Sequence, residues 1–246
     1  MKQNIYDNPV FFKGYKSLRD SGITYNDFVE QPAIQLLIED MDGKFVLELG
    51  CGSGAFSKQC AEAGASFVTG ADISKKMIAE AKRNNNDKKI EYKCMPMEDL
   101  MLPDDTFDFI ISSLAIHYIQ DYASLVKKIS ELLKPNGIFI FSIEHPICTA
   151  RKEMDNWMKD ENGDKLYYAL DNYQEEGRRE QHWFIDGVVK YHRTVSTIIN
   201  TLIDNRLIVE RMIEPVATPE GLEKMPGAGG EQRKPSFMIV KVRKSF

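Results

Sequence analysis

The stretch Val46–Ser57, VLELGCGSGAFS, decides the fold of this chain. An apolar run ends abruptly, glycines follow at positions 50, 52 and 54, and a segment of small, helix-forming residues begins. This is the pattern of a buried strand turning sharply into a helix, with backbone left bare on one side. Gly50 lets the chain leave the strand with positive φ, Gly52 lets a ligand approach the backbone, and Gly54 lets the helix pack closely on the sheet. Backbone N–H groups at the helix start suit a polar or anionic ligand. The spacing Gly50-x-Gly52-x-x-Ala55 also fits a dinucleotide-binding turn, and a plain loop and cap would use the same residues, so the glycines alone leave the ligand open.

Outward from this turn, strand-like and helix-like segments alternate from Lys44 to Ser142. KFVLEL, SFVTGAD, KIEYKC, FDFIISSL and IFIFSI read as five strands. GAFSKQCAEAGA, SKKMIAEAKRNN (with Ser74 as cap) and YASLVKKISELLK read as the helices between them. Nearly all-apolar strands in repeated β-α-β order imply a parallel sheet covered on both faces. RLIVERMIEP and SFMIVKVRK add two closing strands. The fold class is therefore α/β: a Rossmann-like, doubly wound, seven-stranded and mostly parallel sheet with an antiparallel last strand. Residues 1–43 read as a helical N-terminal cap, 44–145 as the ligand-binding core, 146–193 as an insertion after strand five and 194–246 as a closing helix and two strands, all within one domain. The insertion carries Trp157, Tyr167, Tyr168, Tyr173 and Trp183, as a substrate lid or as the core of a small subdomain. Within it QHWFIDGVVKYHRT reads as a β-hairpin turning at Asp186-Gly187. The Gly- and Pro-rich ATPEGLEKMPGAGGEQRKP reads as a mobile loop.

Composition narrows the partners. A net charge of -5 argues against a nucleic-acid partner. No apolar run approaches the roughly 20 residues of a membrane span, and the N-terminus lacks the apolar core of a secretory signal, so a cytoplasmic protein is expected. Cys51, Cys60, Cys94 and Cys148 show no metal-ligand spacing, so no metal is expected. The oligomeric state, monomer or homodimer, is left open.

About twenty residues beyond the glycines, Asp72 ends the second strand. Its carboxylate can accept from the vicinal hydroxyls of a ribose, or can serve the helix that starts near Ser74. With these residues in place, VLELGCGSG, GADIS, MPMEDLMLPDDTFDFIISSLAIHYIQD and ELLKPNGIFIFS together resemble the class I S-adenosylmethionine-dependent methyltransferases, over roughly Phe45 to Ile143. Among these the chain is similar to the small-molecule type, related to the ubiquinone and menaquinone biosynthesis methyltransferases. The resemblance implies that Glu48 and the backbone of Gly50, Cys51, Gly52 and Gly54 hold the amino acid end of S-adenosylmethionine. It implies Asp72 at the ribose, Ile73 and Met77 near the adenine, Met97 and Glu98 lining the adenine site, and Ser113 and Leu114 beside the methionine portion. Many relatives carry an acid where this chain has Pro96, which removes one expected contact to the adenine amine. Tyr15 and Arg19, about one helical turn apart, can close over the cofactor, with Arg19 on its carboxylate or on a solvated face.

The implied reaction is methyl transfer to a small-molecule acceptor, leaving S-adenosylhomocysteine. A catalytically silent cofactor-binding protein and a nicotinamide-dependent oxidoreductase are the alternatives of the same fold. For a base or substrate anchor the candidates are the histidines: His117 and His145 after strands four and five, and His182 and His192 on the hairpin, with Glu144, Tyr118 and Arg193 as neighbours. A purely structural, hydrogen-bonding role is the alternative for each.

Overall fold

The structure, a computed structural model, describes residues 2–154 and 156–245; positions 1, 155 and 246, in the cap, insertion and closing segments, lie outside the described residues. The five apolar runs become β1 (Phe45–Leu49), β2 (Phe67–Asp72), β3 (Ile90–Cys94), β4 (Phe107–Ser112) and β5 (Leu133–Glu144). The insertion contributes β6 (Trp157–Lys159), β7 (Lys165–Tyr168), β8 (Gly177–Trp183) and β9 (Ile185–His192), and the chain closes with β10 (Leu207–Ile213) and β11 (Phe237–Lys244). Seven strands form one sheet in the order β10-β11-β5-β4-β1-β2-β3. The pairs among β1 to β5 are parallel, whereas β11 runs antiparallel to both β5 and β10.

The helices are α1 (Pro9–Asp20), α2 (Gln31–Gln35), α3 (Ala55–Glu62), α4 (Lys75–Asn84), α5 (Tyr122–Leu132), α6 (Pro146–Thr149), α7 (Val195–Asp204) and α8 (Pro219–Lys224). Side-chain alternation divides the core into two layers. Leu47 and Leu49 of β1 pack in one layer with Leu125 and Ile129 of α5 and Leu202 of α7. Val46 packs in the other with Ile34 of α2, Cys60 and Ala61 of α3 and Ile78 of α4. Ser74 caps α4 as expected, its hydroxyl accepting from Met77 N at 3.1 Å. On either side of β1 the sheet order runs outward in opposite directions, so the strand ends open a crevice between β1 and β4.

Three local expectations are corrected. The hairpin forms, but it reverses at Phe184 (φ 60°), while Asp186 and Gly187 lie within β9. Packing overrides the local turn preference here: Phe184 meets Phe11 edge-on at 5.6 Å and leaves no room for a Cβ on Gly14. The Gly- and Pro-rich segment is not an open loop. It folds as α8, capped by Thr218, and a 3-10 turn over Pro226–Gln232, and the buried Glu231 carboxylate accepts from Ser236 N and Oγ at 2.6 Å each. The cap is less regular than a helical lead-in implies, because a π-helical turn at Asn26–Glu30 precedes α2.

Candidate active site

One large cavity, of roughly 1810 Å³, lies along the carboxyl ends of β1, β2, β4 and β5. Drug-sized ligand sites usually span about 300–1,000 Å³, so this one has room for two ligands side by side. The cap and the β8–β9 hairpin form its outer wall. Phe11 and Tyr15 from the cap meet Trp183 from the hairpin edge-on, at 5.1 and 6.0 Å, Phe11 also meets Phe184, and Tyr6 packs edge-on against Tyr15 within the cap at 5.0 Å. Gln3 fastens the seam like one more strand residue, accepting from Val189 N (2.7 Å) and donating to Val189 O (3.0 Å).

At the β1 end, Gly50, Gly52 and Gly54 all have positive φ. A Cβ on Gly50 would lie 2.5 Å from the Cβ of Ala115, and one on Gly54 would strike the Tyr92 hydroxyl, whereas at Gly52 a Cβ would meet open space. Gly52 is thus the bare approach, while Gly50 and Gly54 serve close packing. The N–H groups expected to face a ligand are already engaged: those of Gly50 and Cys51 donate to Ala71 O (2.8 and 3.0 Å), that of Gly52 to Asp72 Oδ2 (2.9 Å) and that of Gly54 to Cys51 O (2.9 Å). Glu48 lies beneath this turn, buried, its Oε2 accepting from Ser57 Oγ at 2.5 Å. Burial pushes its carboxyl up to about 8, and nearby Asp72 adds to this. Burial also raises Asp72, against hydrogen bonds from Ser74 N and Gly52 N that lower it.

Two buried carboxyl groups that resist ionisation, at a turn whose Gly50, Cys51, Gly52 and Gly54 N–H groups are occupied, suit a cationic ligand. A dinucleotide pyrophosphate would set its negative charge against these carboxyl groups. The ammonium and sulfonium of S-adenosylmethionine fit, and each Asp72 oxygen keeps a lone pair for a ribose hydroxyl.

The other cofactor candidates fall along the same cavity. Tyr15, Arg19, Cys51, Ile73 and Met77 line it, as do Met97 and Glu98 on a 3-10 turn and Ser113 and Leu114 after β4. Arg19 reaches Thr24 Oγ1 (3.2 Å) and Asp27 (3.8 Å) at the rim. Gly54 is behind the turn and does not line the cavity.

Glu30 escaped notice in the sequence. It is fully buried in the π-helical turn, and its carboxylate accepts from Ser113 Oγ (2.7 Å), Ser142 Oγ (2.5 Å) and Gln31 Nε2 (2.7 Å). Ser142 in turn accepts from Leu114 N (2.9 Å), whose φ of 48° is unusual for a leucine. The cap thereby holds the strained turn after β4 from outside the sheet. No pattern around QPAIQ signalled this contact.

The histidines separate. His117 is buried at the cavity wall, and its Nδ1 accepts from Glu144 N at 3.4 Å. Burial pushes it down to about 4, with Lys190 and Arg193 acting the same way against Glu144. The structure does not bring His145, His182 or His192 to the cavity. His145 caps Ile147 N and donates from Nε2 to Glu214 Oε1 (2.8 Å); His192 accepts from Thr149 Oγ1 and donates to Tyr173 O (2.9 Å each). His182 is exposed beside Asp186. Of their expected neighbours, Tyr118 and Glu144 line the cavity, while the guanidinium of Arg193 is held by the carbonyls of Ile119 and Gln120. The insertion divides likewise. Trp183 lines the cavity, whereas Trp157 and Tyr168 pack on each other at 5.1 Å in the β6–β7 hairpin, away from it.

Known proteins give the family of this chain. A methyltransferase-domain family profile matches residues 47–141. An S-adenosylmethionine-dependent methyltransferase of Mesorhizobium loti, known from its crystal structure, superposes with a TM-score of 0.81 at 38% identity, covering 87% of this chain and 97% of that one. An uncharacterized protein of Haemophilus influenzae is 37% identical over 99% of this chain and 98% of its own length. A ubiquinone biosynthesis O-methyltransferase of Neisseria meningitidis is 32% identical over 132 residues, about half of either chain (52% and 53%). The chain belongs to the class I S-adenosylmethionine-dependent methyltransferases, and S-adenosylmethionine is its cofactor.

Proposed function

We propose that the acceptor is a small molecule bound in the same cavity as the cofactor, between the β4–β5 strand ends and the β8–β9 hairpin. The observation that carries this is the cavity's continuity: it runs from Glu48 and Asp72, past Ser113 and Leu114, to His117, Glu144, Lys190 and Trp183. In this reading Glu48 and Asp72 hold the cationic and ribose parts of the cofactor, Ile73, Met77, Met97 and Glu98 enclose its base, and Arg19 meets its carboxylate from the cap. When bound, S-adenosylmethionine supplies an electrophilic methyl group on sulfur. The chain's own work is alignment and exclusion of water, for which the seam of cap and hairpin closes the outer wall. His117 acts there as a neutral donor: its Nδ1 is occupied by Glu144 N–H, so Nε2 carries the hydrogen. A proton leaving the acceptor goes to the free oxygen of Glu144, or is lost before binding.

The shared half of the ubiquinone biosynthesis relative accompanies a different remainder, so its substrate is not carried over. Calorimetry with S-adenosylmethionine, S-adenosylhomocysteine and NAD, followed by a labelled-methyl screen of a metabolite panel, tests the reading. Binding of S-adenosylhomocysteine and labelling of a metabolite are expected. Labelling of protein or RNA alone would overturn the small-molecule assignment.

A further inference from the structure

The hairpin carries a charge where its pattern calls for an apolar residue. Along β9, Val188, Lys190 and His192 share the buried face. Lys190 is 3% exposed, donates to Glu144 Oε1, and holds its ammonium 5.6 Å from the centre of the Trp183 ring. A lysine is almost never buried to this extent unless it is paired, and here the partner is Glu144. The ammonium has three N–H donors, and among the described residues only Glu144 accepts from it. Both residues and Trp183 line the cavity. The remaining donors, with His117 Nε2–H on the same wall, outnumber the one free oxygen of Glu144.

Charge points the same way. Burial opposes the ionisation of Glu144, but Lys190 and His117 hold its carboxyl below the usual range, with Lys234 adding to them. Glu144 thus remains anionic and fixes the ammonium in place. Across the cavity the cofactor brings a second cation. A cationic acceptor would be placed between two cations, whereas an anionic one meets free N–H donors and an aromatic wall of Trp183, Tyr6 and Tyr118.

We infer that Lys190, oriented by Glu144, anchors an oxyanion on the methyl acceptor, whose apolar or aromatic body lies along Trp183. This rests on the proposed small-molecule methylation and names the acceptor's chemical class.

Trp183 reports on the site, since the chain has only two tryptophans and Trp157 lies away from the cavity. In a Trp157→Phe background saturated with S-adenosylhomocysteine, fluorescence titration with benzoate, phenyl phosphate, benzyl alcohol and benzylamine compares four head groups on one ring. Benzoate or phenyl phosphate should bind about tenfold or more tightly than the alcohol and amine, and which of the two prevails distinguishes a carboxylate from a phosphate. Lys190→Met with Glu144→Gln removes both charges together, leaves no unpaired buried ion, and should erase the preference; Lys190→Arg should keep it. Calorimetry with S-adenosylhomocysteine on each variant should be unchanged. Preference for the alcohol or amine, no binding of any probe, or an oxyanion preference that survives the double variant would each overturn the inference. If the wild type itself fails to bind S-adenosylhomocysteine, the cofactor-site reading fails instead.

Discussion

Replacing Glu48 by Gln should make the ligand-free protein more stable at high pH while impairing its hold on the cofactor. The carboxyl is buried beneath the glycine turn with Ser57 as its bonded partner, and burial pushes it up to about 8 from an ordinary 4.5. Between those values the folded chain keeps a proton that the unfolded chain has released. Stability from this group is therefore complete below about pH 4.5 and is lost as pH rises through about 8. A tenfold change in proton affinity is worth about 1.4 kcal/mol, so the loss between about pH 5 and pH 9 is about 4 kcal/mol. Glutamine keeps the shape and the contact to Ser57 but cannot ionise.

The assay is urea denaturation of both proteins, free of ligand, across that range. Subtracting the two stability profiles isolates position 48 from every other titrating group. The gap should be small near pH 5 and widen in favour of Glu48→Gln up to pH 9. Parallel profiles would refute the buried, proton-holding carboxyl. Cofactor binding should release up to one proton at neutral pH from the wild type, read by calorimetry in buffers of different ionisation enthalpy, and the variant should release correspondingly less.

Gly50→Ala should unfold or severely destabilise the turn, by about 1–3 kcal/mol from its φ of 75° alone, and Ala115→Gly should restore the steric part in a stability measurement, because the new Cβ meets that of Ala115. His117 at about 4 implies stability present above about pH 6.5 and lost as pH falls through 4, about 3 kcal/mol in all; His117→Asn should flatten that acid limb in denaturation curves. Phe11→Ala, at a fully buried ring joining cap and hairpin, should cost about 3–5 kcal/mol by the same measurement.

What could be read from residues alone was local in sequence or repeated along it. The apolar strands, the helices between them and the Gly50–Asp72 signature each depend on neighbours within a few tens of residues. Where the outcome depended on distant partners, reading residues in order failed. Asp186-Gly187 is a favourable turn pair in isolation, but Phe184 reverses the chain because Phe11 and Gly14 receive its ring from the cap. Glu30 looks like any acid of an amphipathic helix until Ser113 and Ser142 are brought to it from the sheet. The four histidines shared one residue type and one titration range, yet only His117 reaches the cavity.

The two walls of the cavity follow one electrostatic plan. At the glycine turn, Glu48 and Asp72 are buried with their ionisation opposed, so a cation entering there makes both carboxylates favourable at once. On the hairpin side, Lys190 is buried and paired with Glu144. On the proposed reading, the cationic donor lies against Glu48 and Asp72 and an anionic acceptor meets the free N–H donors of Lys190, with the strained Leu114 turn on the cavity wall as well. Transfer of the methyl group then turns the cofactor's sulfonium into a neutral thioether, while its ammonium is retained. Losing that one positive charge weakens the cofactor's attraction to Glu48 and Asp72, which favours release of the spent cofactor. Glu30 belongs to the same site at one remove: bonded to Ser113 and Ser142, the latter holding Leu114 N, it ties the cap that walls the cavity to the turn after β4.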